Sequence, residues 1–117
     1  MIEWIEKVAR TRNLAEGCNV TVALSKHGDK YATQICFYND CFRRITSGKY
    51  IKVGTSNDRI YFDESRNGYK LQNYGNKDSQ KSVRVNATLK EFVGSYTLQY
   101  DAYEKCYCIV KGNKKVD

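Results

Sequence analysis

The sequence predicts a β-rich α+β domain. Three observations carry that prediction: a helical pattern at the N-terminus, alternating strand-like runs after it, and a recurrence of apolar positions 47 residues apart. Ile2, Ile5, Val8 and Ala9 recur at helical spacing, with Trp4 on the flank and Glu3, Glu6, Lys7 and Arg10 facing away, so residues 2–12 read as an amphipathic helix that "RNLAEG" ends. "NVTVALSKHGDKYATQICFY" then alternates β-branched or aromatic residues with polar ones on both sides of "KHGDK", the pattern of a hairpin. "NDCFRRITSGKYIKVGTSNDRIYFDES" reads as a short helix over 39–46, a strand, a Gly/Ser/Asn turn and a second strand. "GYKLQNYGNKDSQK" holds one short strand-like piece, then a polar stretch over 73–80 that reads as a loop or linker.

Shifting the chain by 47 residues places Asn39 on Asn86, Phe42 on Leu89, Ile45 on Phe92, Ile51 on Leu98, Val53 on Tyr100, Ile60 on Tyr107 and Phe62 on Ile109. Upstream, Cys36 and Tyr38 fall on Val83 and Val85. Each copy reads strand, short helix, strand, turn, strand, with a shared Asn available to N-cap the helix, the second of which is expected near 87–93. The expected organisation is one domain: helix and hairpin start over 1–33, a first βαββ repeat over 34–72, the loop over 73–80, a second βαββ repeat over 81–111, and a basic tail over 112–117. Such a duplication predicts pseudo-twofold symmetry, with 36–62 superimposing on 83–109 and each half-core covering the other.

Composition bounds the function. With 117 residues, 41% of them hydrophobic, the chain can build one modest core. Ten Tyr and four Phe argue against disorder. Lys and Arg exceed Asp and Glu by 20 to 13, and the net charge of +7 points to an anionic partner. Five cysteines, an odd number at irregular spacing, suit a reducing compartment. No apolar run approaches a membrane span and the N-terminus is charged throughout, so the expectation is a cytoplasmic protein of a bacterial host cell with no membrane partner. Proline is absent, which leaves turns to Gly, Asn, Asp and Ser.

"ICFYNDCFRRITSGKYIKVGTSNDRIYFDES" resembles the swapped-hairpin AbrB family: a strand, a short helix carrying Arg near its end, a Gly turn, then a hairpin whose last strand is similar to the family's "rIyl" ending. "VRVNATLKEFVGSYTLQYDAYEKCYCIVK" is similar but looser. The resemblance implies two interlocked βαββ units, here on one chain, and basic residues on one face that contact DNA. The family's Ile-Pro before the helix is replaced by "FYND", and Glu91 stands where the first copy has Arg44.

Nothing in the sequence points to catalysis. The single histidine, His27, sits in a turn; nucleophile-elbow, zinc-protease and phosphate-loop patterns do not occur. Asp63 and Glu64 adjoin on a strand and so point to opposite faces. For metal, alternation places Cys106 and Cys108 side by side on the outer face of one strand, and Cys41 with Cys18 or His27 would complete a tetrahedral zinc site; Cys36 reads as core. For an anionic partner, Arg43 and Arg44 point outward from the short helix, joined by Lys49, Lys52, Arg10 and Arg12. Tyr31, Tyr69, Tyr74 and Tyr103 are available for stacking or as interface anchors.

Three functions fit. The first is a non-catalytic inhibitor of a nucleic-acid-handling protein such as a CRISPR effector nuclease; small size, cysteine- and tyrosine-rich composition and an eroded DNA-reading motif are similar in style to phage or mobile-element proteins, anti-CRISPR proteins included. The second is an AbrB-like DNA-binding regulator, and the third a zinc-stabilised interaction module.

Overall fold

The computed structural model describes residues 19–114. The helix expected over 2–12 lies outside them, as do Arg10, Arg12 and Cys18. The described chain forms ten strands: β1 (Asn19–His27), β2 (Lys30–Phe37), β3 (Tyr50–Thr55), β4 (Arg59–Ser65), β5 (Tyr69–Lys70), β6 (Gln72–Tyr74), β7 (Lys77–Val85), β8 (Gly94–Thr97), β9 (Gln99–Asp101) and β10 (Cys106–Val110). Its one α-helix, α1 (Phe42–Ile45), is a single turn, and 3-10 turns cover Lys90–Phe92 and Lys111–Asn113. Among the described residues the domain is therefore β-rich as expected, the helical segments there are single turns, and the second expected helix is 3-10.

The strands make two antiparallel five-stranded sheets, β6-β7-β2-β1-β8 (sheet I) and β5-β3-β4-β10-β9 (sheet II). Alternation along each strand sends one face of each sheet into a shared core, where the Phe37 ring of sheet I meets the Phe62 ring of sheet II edge-on at 5.1 Å. The side edges of the sheets are joined by single residues. Leu71 alone separates β5 of sheet II from β6 of sheet I, and Leu98 alone separates β8 from β9; both are buried. The sandwich is thus closed on both sides like a flattened barrel, with only short strand segments at its corners.

The first hairpin forms where the sequence places it. His27 opposes Lys30, and Gly28 takes the positive φ (+62°) that a two-residue hairpin loop requires. The stretch 73–80 is a correction: it is no linker. Tyr74 opposes Lys77 around Gly75 (φ +72°), so these residues belong to the β6–β7 hairpin. The polar composition misled because β6 lies at a sheet edge with its residues exposed, and because a register shift between Asn73 and Tyr74 breaks the alternation. β4 ends at Ser65, and Tyr69–Tyr74, most of which the sequence reading placed in the first half, runs into the β6–β7 hairpin.

Element order in the two halves runs in parallel: β1, β2, α1, β3, β4, then β5–β6, β7, a 3-10 turn, β8–β9, β10. The registers between halves are also related. Ile60 opposes Ile109 and Phe62 opposes Tyr107, so exchanging the halves at the 47-residue shift maps one pair onto the other, with Tyr61 opposite Cys108 at the centre. In β2 and β7 the centre is Ile35 opposite Val83, a shift of 48. The 47-residue match of Cys36 with Val83 and Tyr38 with Val85 is accordingly out of face: Val83 and Val85 join the core cluster, whereas Cys36 is buried outside it. One residue is regained before the turn, because three residues separate Val85 from Leu89 where four separate Phe37 from Phe42.

The asparagine caps are not used either. The residue before α1 is Cys41, without a side-chain cap bond, while Asn39 and Asp40 take φ of +56° and +61°, a conformation their short polar side chains tolerate. Leu89 precedes the 3-10 turn. That loop is held instead by Thr33, wholly buried on β2, whose hydroxyl donates to the Ala87 carbonyl at 2.6 Å and accepts from the Leu89 N–H at 2.9 Å.

Candidate functional site

α1 is short because its ends are set by contacts outside it. Asp40 N–H donates to the Ser79 carbonyl of β7, and Phe42 and Ile45 anchor the turn in the core. With those two buried, Arg43 and Arg44 must face out, as the sequence implies, and both are exposed. Arg43 is steadied by Asp40 at 3.1 Å and lies over the Phe42 ring at 5.2 Å. Lys49 lies in the loop after α1 and lines a shallow depression of about 330 Å³ with Arg66, Glu64 and Thr46. Glu64 there accepts from the Thr46 hydroxyl at 3.0 Å and the Ser47 N–H at 3.3 Å. Lys52 does not join this group. It opposes Asp63 on sheet II and lines a separate depression of about 300 Å³ with Gly54, Tyr61, Asp63, Glu104 and Cys106.

The cysteines divide. Cys106 and Cys108 share the outer face of β10, as alternation requires, because Tyr107 and Ile109 between and beside them belong to the core. Cys41 packs in the core between the sheets, on the other side of sheet II from that pair, so the expected ligand set is not assembled around it. His27 ends β1. Among the described residues no group of three or more His, Cys, Asp or Glu side chains is placed to hold a metal ion. Burial raises both β10 thiols above their usual range; for Cys106 the charge of Asp63 adds to the effect, and for Cys108 the Arg59 guanidinium opposes it. Cys36 is buried on the outer side of sheet I, near Thr21, Tyr38 and Tyr74; burial raises its pKa, and hydrogen bonds to those hydroxyls partly offset the rise.

A polar network on sheet II was not read from the sequence. Arg59 Nη1 contacts Asp101 Oδ2 at 2.9 Å, and the Tyr61 hydroxyl donates to the same oxygen at 3.2 Å. The other carboxylate oxygen accepts from the Tyr103 N–H at 2.9 Å and the Glu104 N–H at 3.1 Å, while the Asp101 carbonyl accepts from the Lys105 N–H at 2.7 Å. The Glu104 and Tyr103 N–H groups, with Tyr61 and Arg59, hold the Asp101 carboxyl below the usual carboxylate range against the opposing effect of burial. The available signal was Asp101 two residues before Tyr103, the spacing at which an Asp side chain caps a turn. Tyr103 itself stands 90% exposed at the tip, and Tyr100, 56% exposed, packs edge-on to Tyr107 at 5.1 Å. Of the other tyrosines singled out, Tyr31 is exposed beside Lys26, Tyr74 packs edge-on to Tyr38, and Tyr69 is half-buried against the core.

Compared with known protein families, curated proteins and solved structures, the chain finds no match in any of the three. No helix among the described residues is long and apolar enough to cross a membrane.

Proposed function

We propose that this protein is a non-catalytic binding protein that acts on a protein target, in the manner of small phage or mobile-element inhibitors such as anti-CRISPR proteins. The observation that carries this reading is the inequality of the two related turns. α1 presents Arg43 and Arg44 to solvent, whereas the 3-10 turn presents Lys90 and Glu91, the latter facing Lys111 at 3.4 Å. A two-fold frame that reads a symmetric duplex site needs the same charges at both related positions. Here only one half carries the arginine pair, which suits one asymmetric partner. The net charge of +7 directs that partner's contact to an acidic surface. If the target is a nucleic-acid-handling protein, a CRISPR effector nuclease for example, it is met on an acidic face and not in its basic nucleic-acid channel. A cytoplasmic site of action goes with this reading.

We infer with it that the chain is an internal duplication of a ββαββ unit, one strand longer than the βαββ unit of the sequence reading. That inference also supports the second reading, an AbrB-like DNA-binding regulator, since related registers at two strand pairs are what a fused dimer leaves behind. In a third reading zinc joins Cys106 and Cys108 to ligands outside the described residues, Cys18 among them. Affinity capture from lysate of the host, with and without nuclease treatment, separates the first two. Capture that survives nuclease supports the protein-target reading, and tight sequence-dependent duplex binding at physiological salt overturns it.

A further inference from the structure

We propose that the β9–β10 hairpin, residues 101–106, is a rigid aromatic anchor whose Tyr103 side chain enters an apolar pocket on a folded, acidic protein partner. The inference deepens the protein-target reading and rests on it. An exposed tyrosine alone means little. This one differs in how its backbone is held. Asp101 ties down the turn by accepting from the Tyr103 and Glu104 N–H groups, and is itself fixed by Arg59 and Tyr61 of β4, across β10. The turn is closed by the Lys105 N–H on the Asp101 carbonyl, with Lys105 at φ +58°. Nothing in this arrangement buries Tyr103, so the ordering of the tip presents a large amphipathic ring at low remaining entropy cost, the feature shared by aromatic hot spots in protein interfaces.

The related hairpin of the first half isolates what is special. Its tip is Ser56, Asn57 and Asp58, closed by the Ser56 N–H on the Arg59 carbonyl, with no aromatic residue. Gly54 stands where the 47-residue shift places Asp101. The carboxylate and the tyrosine therefore occur together in one half and are both missing from the other. Tyr100, 56% exposed, lies on β9 one residue before the turn, with its ring edge-on to Tyr107, which packs against the core. A second copy of this chain is disfavoured as the occupant because like charges of +7 repel, and the same charge favours an acidic partner.

The test uses the full chain with a photo-crosslinking amino acid at position 103, 57 or 44, irradiated in lysate of the host cell. The protein trapped from position 103 is identified, purified and titrated against wild type, Tyr103→Ala and Asp101→Asn. The expected result is one acidic protein trapped from 103 and not from 57. Its affinity should fall about thirtyfold or more in Tyr103→Ala, with an unchanged thermal midpoint. Asp101→Asn should cost less, in proportion to the loosening of the tip seen as faster amide exchange at 103–105. Equal binding by Tyr103→Ala, or trapping from 44 but not from 103, overturns the anchor and leaves the protein-target reading standing. Trapping of nucleic acid alone, or of nothing at any position, overturns both.

Discussion

The two halves of the barrel share a backbone plan and differ in what they place inside and outside it. Inside, the first half contributes Phe37 and Phe62, rings in contact; the second contributes Val85 and Ile109 at the related places. Outside, the first half carries Arg43, Arg44, Lys49 and Arg66 around α1, whereas the second carries Tyr100 and Tyr103 on its last hairpin. The difference teaches which demands are strict. Face alternation is kept at nearly every related position because one slip turns a whole strand inside out. Side-chain volume is shared unequally, since a core needs the right total and not the same residue twice. Surface chemistry is under neither demand, so the halves are free to separate a basic patch from an aromatic one.

The largest expected effect tests the unequal core. Phe62→Ala should destabilise by about 3–5 kcal/mol, read from urea denaturation, because it removes a fully buried ring. A double-mutant cycle between Phe37 and Phe62 should show coupling of about 0.5–1.5 kcal/mol. The same cycle between Val85 and Ile109 should show less. Equal coupling in the two cycles would mean that the halves share the core evenly after all.

Next in size is the difference between the loops that precede the two turns. Thr33→Val keeps shape but leaves the Leu89 N–H and the Ala87 carbonyl without their partner, a cost of about 1–3 kcal/mol. The loop before α1 is tied to β7 through the backbone carbonyl of Ser79, which an alanine there keeps, so Ser79→Ala should change the urea midpoint little. If both variants destabilise equally, the loops are held alike and the contrast fails.

A smaller effect separates the hairpins by pH. Asp101 has a depressed pKa in the folded chain, so its contribution to stability is present above the ordinary carboxylate value near 4 and is lost as pH falls below it. Replacing it with Asn should flatten the acid limb of the stability profile, measured as thermal midpoint against pH. The first-half hairpin has Gly54 at the position related to Asp101 and so offers no counterpart to this carboxylate.

How much of this was legible in the sequence follows from which interactions are local. The hairpin at Gly28, the outward Arg43 and Arg44 and the paired faces of Cys106 and Cys108 all follow from periodicity over a few residues, and the structure has each of them. The recurrence at 47 residues captured β3, β4, β9 and β10 but missed its most literal match, "HGDK" at 27–30 against "YGNK" at 74–77, because the second copy lay in a stretch too polar to suggest a strand. Out of reach were the features set by distant partners. The register shift between β6 and β7 depends on how those two strands meet, the corners at Leu71 and Leu98 exist only once two sheets face each other, and Cys36 is met by Tyr74 of a distant strand. The placement of Cys41 inside the core, and hence away from Cys106 and Cys108, belongs to the same class.

The smallest expected effect on stability bears most on function. Arg43 pairs with Asp40 in the open, where such pairs contribute only about 0.2–1 kcal/mol, so neither Arg43→Ala nor Arg44→Ala should disturb folding measurably. Binding is a different matter. If the basic patch contacts duplex phosphates, affinity for DNA falls with salt at a log–log slope of about −0.9 per contact, and each arginine removed lowers that slope by about one. If the patch instead meets a few carboxylates at the rim of a protein interface, the variants slow association and flatten its salt dependence, with a smaller change in dissociation. Lys90→Ala supplies the comparison within the same fold. A duplex reader that uses both halves should lose one unit of slope there too, whereas the one-sided binder proposed here should be indifferent. Duplex titrations of the three variants at several salt concentrations thus decide whether the inequality of the halves is functional, and a slope change of about one in Lys90→Ala as well as in Arg43→Ala would remove the asymmetry on which the protein-target reading depends.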